Sequence, residues 1–253
     1  MDNFVTSDSA EIRAALKKYT PFISEVRKRI LYTLGAFFLS TILGFVFYEQ
    51  IIKFLIDILS LRGVNVVFTS PFQFINLSIS CGLATGLVTV FPLIIFQILS
   101  FLRPALKRKE FQTVASFIPL SLFLFLTGFS FGILIMRWQI QIFLSRASSL
   151  EIGNILDISR ILSTVLLTSV IMGLGFQFPI ILYLLMKLGV IQPNHLHKWR
   201  KWVYLGSFIF AIMLPLDSVI ADALLTLPLI FLFELTLILY FIFGRKKTAP
   251  AKA

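Results

Sequence analysis

Six stretches of the chain carry no charged side chain and are dominated by apolar ones: 31–48, 63–102, 111–136, 161–186, 202–216 and 223–244, the last interrupted only by Glu234. None alternates apolar and polar residues with period two, so continuous helices are expected rather than the strands of a barrel. A helix needs about 20 apolar residues to cross the hydrocarbon core of a bilayer. The second stretch is too long for one simple span. Within it Thr69-Ser70-Pro71 reads as a helix start, a hydroxyl cap followed by proline at the first helical position. That helix is expected to run from Pro71 to about Ser100, with a bend at Pro92. The fifth and sixth stretches are short and meet at Leu214-Pro215-Leu216-Asp217, a turn that would join them as a shallow hairpin. The pattern predicts an all-α polytopic membrane protein, one integral membrane domain over residues 1–253. Its six spans fall at about 31–48, 71–100, 112–136, 161–186, 202–216 and 223–243. Four full spans with one re-entrant hairpin is the alternative.

The charges between the stretches set an orientation. Lysine and arginine number 18 in residues 1–30, 103–110, 187–201 and the tail from Arg245, against 5 in 49–62, 137–160 and 217–222. Positively charged loops stay inside, so the first set is expected on the cytoplasmic side, with both termini inside. The net charge of +11 is then mostly a topology signal, with attraction to lipid head groups as a second reading and nucleic acid excluded. Composition agrees: 58% of residues are hydrophobic and 14% charged, against about 45–50% and 25% in soluble domains. The first apolar run begins at Leu31 with no small-residue cleavage site after it, so no cleaved secretory signal is expected. Cys81 has no partner for an intramolecular disulfide. The segment at 51–59 is apolar with Lys53 and Asp57 four apart, which predicts a short helix lying in the outer interface.

Catalytic chemistry finds little support. No phosphate-binding GxxxxGK[ST] loop, metal-ligand cluster, paired carboxylates or Ser-His-Asp set is present, so neither an enzyme nor a cofactor is expected. His195 and His197 lie beside Lys198, Trp199, Arg200, Lys201 and Trp202, an interfacial basic-aromatic anchor. What remains is acidic residues in unusual places. Glu25 precedes the first span and can reach Arg29 or Lys28 within its helix. Glu110 is the one acid of the basic loop 103–110. Each alone reads as a solvated surface pair; together they put two carboxylates at one basic face, able to receive a cationic peptide. Glu234 lies roughly 14–16 Å from either end of its apolar run, where an ionised acid costs on the order of 3 kcal/mol. Gln177 is a polar group expected to pair across helices. With Pro92, Pro119 and Pro179 bending their helices, a concave bundle is expected, with Gln177 and Glu234 facing its hollow side.

Two motifs tie these positions to a known family. Phe-Ile-Ser-Glu-Val-Arg-Lys-Arg-Ile at 22–30 is similar to H-L-x-E-L-R-x-R-L, and Phe-Leu-Arg-Pro-Ala-Leu-Lys-Arg-Lys-Glu at 101–110 to F-x-x-P-x-L-x-x-x-E. With Ser70-Pro71-Phe72, Phe176-Gln177-Phe178-Pro179 and the segment from Leu227-Pro228 to Glu234, the chain resembles the TatC family over about residues 20–244. TatC is the multispanning subunit of the twin-arginine protein translocase. The resemblance implies export of folded proteins across the cytoplasmic membrane of a prokaryote, driven by the proton-motive force. It implies a signal-peptide site at Glu25 and Glu110, with Arg27, Phe101 and Pro104 of the same motifs. It implies Gln177, Glu234 and Asp217 as polar contacts within the membrane. Implied partners are twin-arginine signal peptides, single-span subunits of the TatA and TatB type, further copies in a hetero-oligomeric complex, and lipid. Departures from the family pattern are Phe22 for its histidine, Gln177 for its span-four glutamate, and Leu-Pro-Leu-Asp at 214–217 for its T-P-P-D turn. A small-solute secondary transporter with an intramembrane acidic site is the competing reading.

Overall fold

A computed structural model describes the backbone of residues 2–61, 66–102, 108–149, 156–187, 191, 193–214 and 219–243. Side chains are described for the same residues except 2–23, 66, 99, 101, 102, 109, 110, 113, 193–197 and 243. The described chain is almost wholly helical: α1 (Asp2–Val46), α2 (Tyr48–Ile58), α3 (Phe72–Leu102), α4 (Arg108–Ala115), α5 (Ile118–Ser149), α6 (Ile158–Gly175), α7 (Phe178–Lys187), α8 (Pro193–Ile212) and α9 (Val219–Phe243). Five helical segments of the described residues are long and apolar enough to cross a membrane: Ser24–Val46, Phe72–Ile98, Ile118–Ser149, Ile158–Lys187 and Val219–Ile242. The fifth expected span lies in α8, whose first half carries Lys198, Arg200 and Lys201, and it is not among these five.

Proline and hydrogen-bonding side chains set the helix boundaries. Proline lacks the N–H that would bond the carbonyl four residues earlier. At Pro179 the ladder therefore breaks: α6 ends at Gly175, Phe176 and Gln177 form a turn, and α7 starts at Phe178. Pro119 does not bend the middle of a span as expected. It is the second residue of α5, after a break at Ser116 and Phe117, where its missing N–H costs nothing. Pro92 and Pro228 do lie inside α3 and α9.

The start of α3 also differs from expectation. The helix begins at Phe72, and the amides of Thr69 and Ser70 donate to Gln73 Oε1 at 2.9 and 3.3 Å. The Thr69 hydroxyl donates to Asp157 Oδ2 at 2.9 Å, joined there by Gln73 Nε2 at 2.6 Å. Asp157 also caps α6, accepting from the Arg160 amide at 3.1 Å. Burial alone would raise the Asp157 carboxyl, but hydrogen bonds from Arg160, Thr69, Gln73 and Ser159 outweigh it and hold it below its ordinary value. The same junction carries a two-stranded parallel pairing, β1 (Val66–Val67) on β2 (Leu156–Asp157).

In lipid, helices gain no hydrophobic free energy by meeting, so close packing and polar contacts decide which pairs form. α5 lies against α6 through glycines. A Cβ on Gly132 would stand 2.6 Å from Ser169 Cα, and one on Gly128 2.7 Å from the Met172 carbonyl oxygen. α1 meets α3 in the same way, around Thr41, Gly44, Gly82 and Gly86. α6 also packs on α3, and α9 packs on α5, α7 and α8. The short amphipathic helix expected around 51–59 is α2; it rests on α3 and buries Leu55.

Candidate functional site

The middle of α1, where its apolar span Ser24–Val46 begins, carries residues expected to meet a peptide. Glu25 is half-exposed, and its Oε1 lies 2.5 Å from Arg29 Nη2, one helical turn on. Arg29 reaches further: its Nη1 donates to the Gln97 carbonyl of α3 at 3.0 Å. That strap ties the start of the α1 span to α3 and leaves Glu25 on an anchored arginine. Arg27 is exposed on the same turn. Glu110 belongs to α4, directly after α3, and Phe101 to the last turn of α3; their side chains lie outside the described residues, as does Pro104 altogether.

Magnitudes show what this region can do. An exposed i,i+4 ion pair is worth about 0.3–0.5 kcal/mol. A carboxylate offers about four lone-pair sites and can accept a guanidinium on two parallel bonds. Glu25 can therefore admit a second guanidinium, or release Arg29, at little cost.

The polar residues within the membrane behave differently from one another. Gln177 is buried, and both ends of its amide are engaged by Ser121 of α5. The Ser121 hydroxyl donates to Oε1 at 2.5 Å, and Nε2 donates to the Ser121 carbonyl at 3.0 Å. The expectation that Gln177 faces a hollow is thus overturned, while its pairing across helices is seen. The turn that Pro179 imposes is what points the amide at α5.

Glu234 is not a lone acid. Tyr204 donates its hydroxyl to Oε1, and Arg200 Nη2 lies 3.1 Å from Oε2. Arg200 and Glu234 retain 39% and 27% side-chain exposure, so the pair sits at the rim of the α8–α9 contact rather than sealed within it. A signal for it existed in the sequence: Arg200 and Glu234 are equidistant from Asp217, as an antiparallel hairpin turning there requires, and Tyr204 follows Arg200 by one turn. Asp217 itself lies outside the described residues, as do the His195 and His197 side chains. Among the described residues no three His, Cys, Asp or Glu side chains converge as metal ligands. Sequence reasoning missed Ser121, Gln97, Arg200 and Tyr204, each a partner distant in sequence.

Comparison with known proteins bears on this arrangement. Residues 21–228 match the family model described as TatC, Sec-independent protein translocase protein. The chain is 30% identical over 223 residues to the Sec-independent protein translocase protein TatCy of Bacillus subtilis (strain 168), covering 86% of each. It is 29% identical over 241 residues to TatC of Aquifex aeolicus (strain VF5), covering 92% of this chain and 99% of that one. The fold superposes on a crystal structure of the twin arginine translocase receptor TatC in DDM with a TM-score of 0.77 at 27% identity, over 86% of this chain and 98% of the other.

Proposed function

The chain belongs to the TatC family of Sec-independent protein translocases, and from that we propose that it is the receptor and core subunit of a twin-arginine translocase. It is a multi-pass inner-membrane protein of a prokaryote and a translocase component, not an enzyme. In the proposed reading Glu25 and Glu110, with Arg27, Phe101 and Pro104 of the same motifs, receive the paired arginines of a folded precursor's signal peptide. The complex then forms with single-span partner subunits and further copies of the chain, and the proton-motive force drives export. The observation that carries the reading is the start of the α1 span: an exposed carboxylate on a weak, exchangeable ion pair, held in place by the Arg29 strap to α3. Arginine is the natural incoming ligand because its planar fork matches a carboxylate on two bonds.

We take the orientation as both termini inside and the spans as six, with α8 as the fifth. The charge split supports the first. The second is supported by α8 itself, whose 20 residues reach roughly 30 Å at 1.5 Å per residue. With α8 at 20 residues and α9 at 25, a cupped bundle does not follow from short final spans; Glu234, half-exposed at the α8–α9 rim, and Asp217 are the polar positions proposed to meet partner helices. The solute-transporter alternative needed Gln177 and Glu234 as uncommitted groups, and both have partners.

The test is crosslinking of a twin-arginine signal peptide to Glu110→Ala and to the double variant with Glu25→Ala. Losing one hydrogen-bonded charge partner from a desolvated site costs roughly 2–5 kcal/mol. Capture should fall at least tenfold in the double variant with membrane insertion unchanged. Unchanged crosslinking to the double variant sinks the proposal.

A further inference from the structure

α4 is a short helix that carries Glu110 in its first turn. Among its described side chains only Val114 is buried. It closes on a tight turn: the Ser116 amide donates to the Gln112 carbonyl and the Phe117 amide to the Val114 carbonyl, both at 3.1 Å. α5 begins at the next residue, so Ser116 and Phe117 form an elbow between the two helices. Whatever fixes the angle at that elbow fixes where α4 lies.

The elbow is gripped from α7. Ser121, one turn into α5, holds Gln177 at the entry to α7. Phe117 meets the other end of the same helix. Its ring lies 5.1 Å from the Tyr183 ring, tilted by 45°. Lys187 Nζ stands 5.6 Å from the centre of the Phe117 ring and 5.7 Å from that of Tyr183, inside the reach of about 6 Å over which a cation is drawn to a ring face. Tyr183 and Lys187 are four residues apart and so share one face of α7. As the last residue of α7, Lys187 also complements the negative end of the helix dipole. Tyr240 of α9 backs the cluster. Its ring is 6.0 Å from Tyr183, nearly edge-on, and its hydroxyl donates at 3.4 Å to the Met186 carbonyl, one of the last carbonyls that a helix cannot satisfy by itself. The platform is firm, because Leu182 and Met186 are buried with Phe233 and Leu237 of α9.

We propose that Lys187 and Tyr183 latch the Phe117 ring and so set the angle of α4, which makes them positioning residues for Glu110. The consequence for Glu110 rests on the peptide reading above; the latch itself does not. Glu110 lies seven residues before Phe117, roughly 10 Å along a helix at 1.5 Å per residue. A swing of about 20° at the elbow would carry its backbone roughly 3–4 Å, more than the length of a hydrogen bond. A carboxylate that must meet a guanidinium on two bonds cannot absorb that displacement.

Two readouts on one set of variants of the full chain test this. One is crosslinking of a twin-arginine signal peptide. The other is the distance between spin labels at Gln112 on α4 and Leu134 on α5, both exposed, in a Cys81→Ala background. Lys187 is exposed, so Lys187→Gln removes the cation and leaves the fold intact. A cation over rings at such a site is worth about 2–5-fold, the equivalent of ~0.5–1 kcal/mol. Lys187→Gln should broaden the label distance and lower peptide capture by about that factor. Phe117→Leu should do both more strongly, since the ring pair is lost as well. Lys187→Arg should behave as the unaltered chain, because a guanidinium also sits over ring faces. An unchanged distance in Lys187→Gln and Phe117→Leu overturns the latch, as does a Lys187→Arg chain that behaves like Lys187→Gln. A broadened distance with unchanged capture overturns the positioning role. Glu25→Ala/Glu110→Ala keeps the two readings apart: it should lower capture at an unchanged distance. If capture survives in that double variant, the peptide reading falls while the distance still decides the latch.

Discussion

Ser24–Val46 and Ile158–Lys187 are both apolar enough to cross a bilayer, yet 6% of the residues in the first window are buried inside the protein and 67% in the second. Apolar character therefore says what solvent a helix faces, not what it touches. The difference lies in how many of its sides meet protein. The α6–α7 segment packs on α3, α5 and α9 at once, with Leu162, Val165, Thr168, Ser169 and Met172 all almost wholly enclosed. α1 leans on α3, with α2 following it, and turns Phe38, Leu39, Ile42 and Val46 outward. A core span is fixed by its neighbours. The first span is held on one side and leaves the rest of its surface facing outward.

The sharpest way to test this comparison is the same substitution at a glycine pressed on the enclosed helix and at one on the open side of α1. Gly132→Ala would drive a Cβ to 2.6 Å from Ser169 Cα, a backbone atom that cannot swing away. Such overpacking costs about 1–3 kcal/mol. Gly35 of α1 has nothing within 4 Å of its would-be Cβ. There Gly35→Ala should stabilise by up to about 0.5–1 kcal/mol, because alanine loses less conformational freedom in a helix. Thermal unfolding in detergent should show shifts of opposite sign. Equal shifts would mean that the two helices are equally constrained.

A smaller effect sharpens the same contrast. Gln177 and Ser121 exchange two hydrogen bonds inside the enclosed half. Interhelical polar pairs in membranes couple by about 0.6–1.7 kcal/mol. A double-mutant cycle with Ser121→Ala and Gln177→Leu should return a coupling in that range. Additive behaviour would show that the Ser121 hydroxyl adds nothing and that the amide is held by the Ser121 backbone carbonyl, which Ser121→Ala leaves in place.

These residues also mark where sequence reading stops. The apolar runs, the α2 helix and the Glu25–Arg29 pair were legible because each rests on a local period or an i,i+4 spacing. The TatC likeness was legible because two short motifs keep their order and distance. Ser121 was not legible as a partner of Gln177, because 56 residues separate them and only the packing of α5 on the α6–α7 turn unites them. Thr69 was not legible as a partner of Asp157 for the same reason: 88 residues separate them. The number of spans stayed ambiguous because α8 divides its length between a basic half and an apolar half.

The mildest expected effect concerns the junction where the loosely held side meets the enclosed one. Asp157 begins α6 and gathers Thr69 and Gln73 from the start of α3, next to the β1–β2 pairing. Its carboxyl is held below its ordinary value of 3.8 by the hydrogen bonds donated to it, against the opposing pull of burial. The stabilisation from a depressed carboxyl is fully present above the unfolded value and is lost as pH falls through the folded one. Acidification below about pH 4 should therefore loosen this junction while the glycine contact of α5 on α6 persists. The measurement is amide exchange at Val67 and Arg160, corrected for the intrinsic pH dependence. Exchange should quicken several-fold on acidification in the unaltered chain. In Asp157→Asn it should already be fast at neutral pH and change little, since no charge remains to be removed. If the variant keeps the acid response, another group carries it, and Asp157 is only a neutral helix cap. If neither protein responds, the junction is held by the β1–β2 pairing and the Ser159 hydroxyl on the Gln73 carbonyl, and the two halves of the bundle are joined more firmly than the one-sided burial of α1 implies.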